Sequence, residues 1–277
     1  MVDWSKRARH RILIFTDLDG TLLDDQTYDF KPALPALRLI HSLKIPLILV
    51  SSKTRAEIES LRKRLSLDSL FIAENGGGIF FPATFELPKD YPYKRVHGYN
   101  AIFIGRPIEE VLEKTRRLKE NFDFKGFSEM PPEEIASVTG LKLEQAILAS
   151  MREFDEPILL TNPLDDGEIF CKKASDLGLD CVHGGRFIHL FLGGNKGRAV
   201  GIVLNIYGQL RGPIFSIAIG DSPNDISMLK MADKAILMQD KDGTYIEGLD
   251  HPDLLKAQGN GPKAWNKVMF SILAGFS

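Results

Sequence analysis

Cysteine is scarce in this chain, which holds only Cys171 and Cys181 among 277 residues. Two cysteines cannot build a disulfide framework, and neither stands in the paired spacing of a zinc site, so a reducing compartment is the expected setting. Long apolar runs are missing too. No stretch approaches the roughly 20 residues of a membrane span. The basic cluster Lys6, Arg7, Arg9, His10, Arg11 leads into a few apolar residues before Asp17, too short a run for a signal-peptide core. Neither sign of charge is in excess: the net charge is −2 and the isoelectric point is near 6.3, which excludes bulk attraction to nucleic acid or to an anionic membrane. No Gly-x-Gly-x-x-Gly follows a strand, and Lys196 precedes Gly197 where a P-loop has Ser or Thr. What remains is a soluble, cytoplasmic protein whose partners are small molecules.

The length of 277 residues suits one large domain or two moderate ones. Apolar runs at Ile12–Phe15, Leu47–Val50 and Leu70–Ala73 read as buried strands. Between them, helical spacing of Leu34, Leu37, Ile40 and Leu43, and then of Ile58, Leu61 and Leu65, predicts two helices, the second capped by Thr54 or Ser52. This alternation is that of a parallel sheet with helices on its faces. Glu74-Asn75-Gly76-Gly77-Gly78 then reverses the chain into Ile79–Phe81. From Pro82 to Tyr99 prolines, aromatics and lysines mark a connector, and short strands and helices follow in an α+β manner as far as Leu192. The βα rhythm resumes with a helix over 196–210, strands over 214–219 and 235–238, and a closing helix over 263–273. The expected architecture is a doubly wound α/β core, residues 1–82 and 193–277, with a smaller inserted α+β cap, residues 83–192. Hinges are expected near Pro82 and Gly193-Gly194.

Three polar clusters fall where predicted parallel strands end: Asp17-Leu18-Asp19-Gly20-Thr21, Ser51-Ser52-Lys53-Thr54, and Gly220-Asp221-Ser222-Pro223-Asn224-Asp225. An Asp-Gly pair after an apolar run is also the commonest hairpin-turn signal, Ser51 or Ser52 could simply cap a helix, and Lys196 could be a solvated helix-start lysine. Their joint occurrence in distant segments favours a site, because ligands of doubly wound sheets bind outside the carboxyl ends of the strands. Carboxylates gathered there would repel unless a cation stood between them, and oxygen donors without His or Cys suit Mg²⁺. Metal-assisted phosphoryl transfer, with a carboxylate as nucleophile, is the chemistry such a set can perform.

These residues resemble the four signature motifs of the haloacid dehalogenase superfamily, and the insert between the second and third motifs resembles its large α/β cap. The resemblance implies that Asp17 attacks phosphorus and that Asp19 protonates the leaving oxygen and later activates water. It implies that Ser51 and Lys196 hold the phosphoryl group. Mg²⁺ would be held by the Asp17 carboxylate, the Asp19 backbone carbonyl and Asp221, with Asn224 and Asp225 supporting. Several short stretches are also similar to the mannosyl-3-phosphoglycerate phosphatases: the Ser51 loop with Arg55-Ala56-Glu57, Glu74-Asn75-Gly76, Thr139-Gly140-Leu141, Arg152 to Pro157, Gly184 to Phe187, and Gly261 to Trp265. A substrate with a phosphate, a carboxylate and a sugar needs further polar contacts, for which Ser52, Lys53, Glu74, Asn75, Asn224 and Arg186 are the candidates. Arg186 is chosen as a guanidinium able to grip a carboxylate or phosphate in two-point fashion. Arg152, in its acidic run, could equally be a structural ion pair. His183 and His189 are not read as metal ligands.

Overall fold

The run Arg11–Thr16 forms β1, and its alternate residues are buried on both sides. Ile14 joins one core cluster, and Leu13 and Phe15 join the other, as a strand covered on both faces requires. The structure is a computed structural model that describes residues 11–162, 166–184 and 187–274. Helix α1 (Leu34–Ser42) follows β1 and leads to β2 (Leu47–Val50), α2 (Arg55–Leu65), β3 (Phe71–Ala73) and β4 (Gly78–Pro82). Strands β5 (Lys94–Val96) and β6 (Tyr99–Phe103) come next, then α3 (Ile108–Leu118), β7 (Phe124–Gly126), α4 (Pro132–Thr139), α5 (Leu143–Ala149), β8 (Asp155–Leu160), α6 (Gly167–Asp176), β9 (Asp180–Gly184) and β10 (Phe187–Phe191). The last third holds α7 (Lys196–Arg211), β11 (Ile214–Gly220), α8 (Ile226–Met231), β12 (Lys234–Met238), β13 (Leu254–Ala257) and α9 (Gly261–Leu273).

The large sheet has the order β13-β12-β11-β1-β2-β3-β4-β6-β5, parallel from β13 to β3 and antiparallel beyond. Helices α1, α2 and α9 supply apolar side chains to one face, and α7 and α8 to the other. Strand β1 pairs with β2 on one side and β11 on the other, so the winding reverses between β1 and β11, where such sheets open a crevice at their carboxyl ends. The small sheet, β7-β8-β10-β9, is antiparallel throughout. Helices α3 and α6 pack on one of its faces, and α4 and α5 contribute to a separate cluster with Phe187 and Leu159.

Three expectations change. Strands β5 and β6, placed in the insert at residues 83 and beyond by composition, extend the large sheet through β4 instead. A hinge at Pro82 therefore falls within paired strands. The passages between the sheets run side by side at 104–107 and 192–195, where the Arg106 amide donates to the Leu192 carbonyl at 3.0 Å. Finally, the two cysteines are not separate thiols: Cys171 of α6 is bonded to Cys181 of β9, with Cα atoms 5.4 Å apart. Arg186 and most of the basic N-terminal cluster lie outside the described residues.

Candidate active site at the carboxyl ends of two central strands

Asp17 follows directly on β1, and its amide donates to the Ile219 carbonyl of β11 at 2.9 Å, which carries the parallel ladder one residue past the strand. Its carboxylate is nearly buried. Lys196, at the first position of α7 and 1 % exposed, donates to Asp17 Oδ1 and to Asp225 Oδ1, each at 2.6 Å. Asp225 is fully buried, and its other oxygen accepts from the amides of Asp221 and Ser222 at 3.1 Å, so it fixes the loop after β11. Asp221 accepts from the Thr21 hydroxyl at 2.9 Å. Gly20, at φ +76°, lets the Asp17 loop coil back so closely that a Cβ on it would stand 2.5 Å from Asp221 Oδ2. Helix α9 supports this coil from below. The Gly261 amide donates to the Gly20 carbonyl at 2.7 Å, and the buried Trp265 indole donates to the Thr16 hydroxyl at 3.0 Å.

Oxygens of Asp17, Asp221 and Asp225 all lie within 4.8 Å of one another. Burial, with the charges of Asp225 and Asp221 behind it, raises the Asp17 carboxyl well above the ordinary range, against the pull of Lys196. Burial and Asp225 push Asp221 up to about 7. Lys196 runs the other way: burial alone would favour its neutral form, but Asp17 and Asp225 outweigh it and raise its pKa. Ionised together, three carboxylates against one ammonium would leave two negative charges uncompensated, which is what pushes Asp17 and Asp221 up, and every donor is a hard oxygen. That set fits a divalent cation such as Mg²⁺.

Asp19 does not join this cluster with its carboxylate. It turns to Lys53, whose ammonium lies 2.8 Å from Asp19 Oδ2 and 4.9 Å from the centroid of the Tyr28 ring. Ser51 directly follows β2 and is buried; its hydroxyl oxygen accepts from the Lys53 amide at 3.2 Å, which leaves its own hydrogen to donate elsewhere. Thr54 caps α2 in a reciprocal box with Glu57, so the Ser51–Lys53 loop is fixed at both ends.

Glu74 and Asn75, expected among the substrate contacts, are engaged with the second sheet. Glu74 accepts from the amides of Glu153, Phe154 and Asp155 at 2.7 to 3.0 Å, and burial pushes its carboxyl up to about 8. Asn75 donates to Asp155 Oδ2 at 2.9 Å and accepts from Asn224 at 3.2 Å. Arg152 is indeed in an ion pair, 2.8 Å from Asp155 Oδ1, and also donates to the Ser52 carbonyl at 2.9 Å. Asp155 and Thr21 were not singled out from sequence as site residues. Thr21 stood inside the first motif and Asp155 inside the acidic run after Arg152, so each had a signal.

Residues 14–91 and 190–251 match the family of haloacid dehalogenase-like hydrolases. The chain belongs to that family. Among relatives of this hydrolase are the glucosyl-3-phosphoglycerate/mannosyl-3-phosphoglycerate phosphatases of Persephonella marina and Methanococcoides burtonii. The first is 38% identical over 95% of this chain and 97% of its own, and the second is 38% identical over 94% and 97%. A crystal structure of a Thermoplasma acidophilum protein shares the fold, with a TM-score of 0.67 over 97% of this hydrolase and 99% of that chain at 16% identity. The stretch of the hydrolase between the two family matches, residues 92–189, contains the whole four-stranded sheet except the end of β10. No described helix is long and apolar enough to cross a membrane.

Proposed function

We propose that this hydrolase cleaves phosphate monoesters with Mg²⁺ through a phosphorylated Asp17, and that its substrates are glycosyl-3-phosphoglycerates, mannosyl-3-phosphoglycerate foremost. The observation that carries the chemistry is the doubly uncompensated carboxylate cluster around Asp17 at the point where the sheet reverses its winding. The names of two relatives, 38% identical over nearly the whole chain, support the substrate and yield the sugar-bearing product glycosylglycerate.

Asp17, the Asp19 backbone carbonyl and Asp221 would hold the cation, with Asn224 and Asp225 supporting. When bound, it screens charge on the phosphoryl oxygens and lets the Asp17 carboxylate approach them. The Asp17 carboxylate attacks phosphorus, the ester P–O bond breaks, and Asp19 gives its proton to the departing alkoxide. Asp19 then takes a proton from water, whose oxygen attacks phosphorus. The acyl-phosphate P–O bond breaks, freeing Asp17 and inorganic phosphate. Lys196 offsets the growing negative charge, and the Ser51 hydroxyl donates to a phosphoryl oxygen. Lys53, 2.8 Å from Asp19 Oδ2, steadies the Asp19 carboxylate once its proton has left. Ser52, Lys53, Asn224 and Arg186 remain the candidates for the rest of the substrate. Glu74 and Asn75 act on it by fixing the second sheet above the phosphate loops.

Phosphate release from a panel of phosphomonoesters with Mg²⁺, ranked by kcat/KM, tests the reading. Mannosyl- and glucosyl-3-phosphoglycerate are expected to rank above hexose phosphates and p-nitrophenyl phosphate. A flat ranking would overturn the substrate assignment in favour of a general sugar phosphatase, and no release from any ester would overturn the chemistry.

A further inference from the structure

The small sheet carries a buried Asp–His pair that the phosphoryl chemistry does not use. His189 lies in β10, 6 % exposed, and its Nδ1 is 2.8 Å from Asp155 Oδ2 at the start of β8. A carboxylate can only accept, so the hydrogen of this bond sits on Nδ1; in the neutral ring Nε2 is then an acceptor. No described residue takes up Nε2. Gly184 of β9 keeps that edge of the ring open: a Cβ there would stand 2.9 Å from Nε2 and 2.8 Å from Cδ2.

The pair also has a direction. In the β8–β10 ladder Pro157 opposes His189 and Asp155 opposes Phe191, so these four share a face with Phe187 and Leu159. That is the face on which the cluster of α4 and α5 packs, and α5 reaches the core, where the Thr54 hydroxyl donates to the Leu148 carbonyl at 2.8 Å. Asp155 Oδ2 is in turn bonded to Asn75 of the core at 2.9 Å, and Asn75 to Asn224 at 3.2 Å in the loop after β11. His189 is thus three hydrogen bonds from the phosphate end of the site, on the side of the second sheet that looks toward it. Arg152 Nη2, 2.8 Å from Asp155 Oδ1, completes the clamp on the carboxylate that orients the ring.

We propose that His189 Nε2 accepts a hydrogen bond from a hydroxyl of the substrate's sugar, with Asp155 as the residue that orients it and Gly184 as the residue that leaves room. This deepens the glycosyl-phosphoglycerate reading and rests on it. The chemistry selects the hydroxyl: phosphate and carboxylate oxygens have no hydrogen to offer an acceptor nitrogen, whereas each sugar hydroxyl has one. The phosphate and carboxylate of the same substrate fall to the cations Lys196 and Lys53.

The test compares wild type, His189→Ala and Gly184→Ala on mannosyl-3-phosphoglycerate and on p-nitrophenyl phosphate, which has no sugar. Both variants are expected to lose about tenfold or more in kcat/KM on the glycosyl substrate, chiefly through KM, and to stay within about twofold of wild type on p-nitrophenyl phosphate. Gly184→Ala keeps the imidazole but sets a Cβ 2.8 to 2.9 Å from Cδ2 and Nε2, so the ring or the strand must shift, and the p-nitrophenyl phosphate arm is what separates loss of a sugar contact from loss of support to the sheet. Equal losses on both substrates, or no loss on the glycosyl one, would overturn the proposal. If wild type ignores glycosyl-phosphoglycerates but hydrolyses hexose phosphates, the substrate reading fails. The same comparison with a hexose phosphate then decides the role of His189 independently.

Discussion

At Asp17 burial and two neighbouring carboxylates oppose ionisation, and Lys196 favours it. Asp17→Asn keeps the volume and the hydrogen bond to the lysine but removes the proposed nucleophile. Turnover should fall by at least about a thousandfold with little change in the melting temperature, and appreciable phosphate release by that variant would remove the assignment. Gly20→Ala is expected to harm both fold and activity, since φ is +76° and the new Cβ would collide with the Asp221 carboxylate at 2.5 Å; a variant with wild-type kcat/KM would contradict this packing. A third residue sets a pH dependence away from the site. Burial, opposed by hydrogen bonds from Ser128, pushes Glu156 from 4.5 up to about 7. Its native value exceeds that of the unfolded chain, so its stabilising contribution is complete below about 4.5 and is lost as the pH rises through about 7. Glu156→Gln should therefore gain in melting temperature over wild type between pH 5 and pH 8, and a gap constant with pH would refute the shift.

At the scale of elements, the junction between the sheets is made by one carboxylate and a short backbone stretch. Glu74→Ala strands the buried amides of 154 and 155 and the half-buried amide of 153, and should destabilise by more than about 2 kcal/mol in denaturant titration. A change under about 0.5 kcal/mol would show that water replaces the carboxylate. Sequence made some elements plain and hid others for physical reasons. Strands β1, β2 and β11 are covered on both faces and so read as unbroken apolar runs. The edge strands β5 and β13 are short and partly exposed, and the residues Lys94, Arg95 and Lys256 in them carry no apolar signal. Strand β6 was readable as a strand, but its partner β4 was not, because pairing is a tertiary choice. The same division holds in the site. Asp17, Ser51, Lys196 and Asp221 were legible because strand ends and their polar residues are local features. The use of Glu74 was not, because its partners are backbone amides, which no residue type reveals. The Cys171–Cys181 bond was hidden likewise, since proximity of α6 to β9 is not written in spacing.

For the whole molecule, the charge imbalance predicts a coupling between cation binding and stability. A ligand that binds only the folded chain stabilises it by about 2.7 kcal/mol at a hundredfold excess over its dissociation constant. Millimolar Mg²⁺ should therefore raise the melting temperature, a chelator should reverse the rise, and Asp221→Asn should flatten the response. A melting temperature indifferent to Mg²⁺ in the wild-type chain would speak against a cation among these carboxylates.

Lys196 comes 179 residues after Asp17 in the chain, and Asp221 and Asp225 come later still. At ribosomal rates of roughly 5 to 20 residues per second, Asp17, the proposed nucleophile, emerges about ten to forty seconds before the groups proposed to work with it. A nascent chain therefore cannot act on cellular phosphate esters while it is being made. The proposed site can form only once β11 has taken its place beside β1, so it assembles late in synthesis.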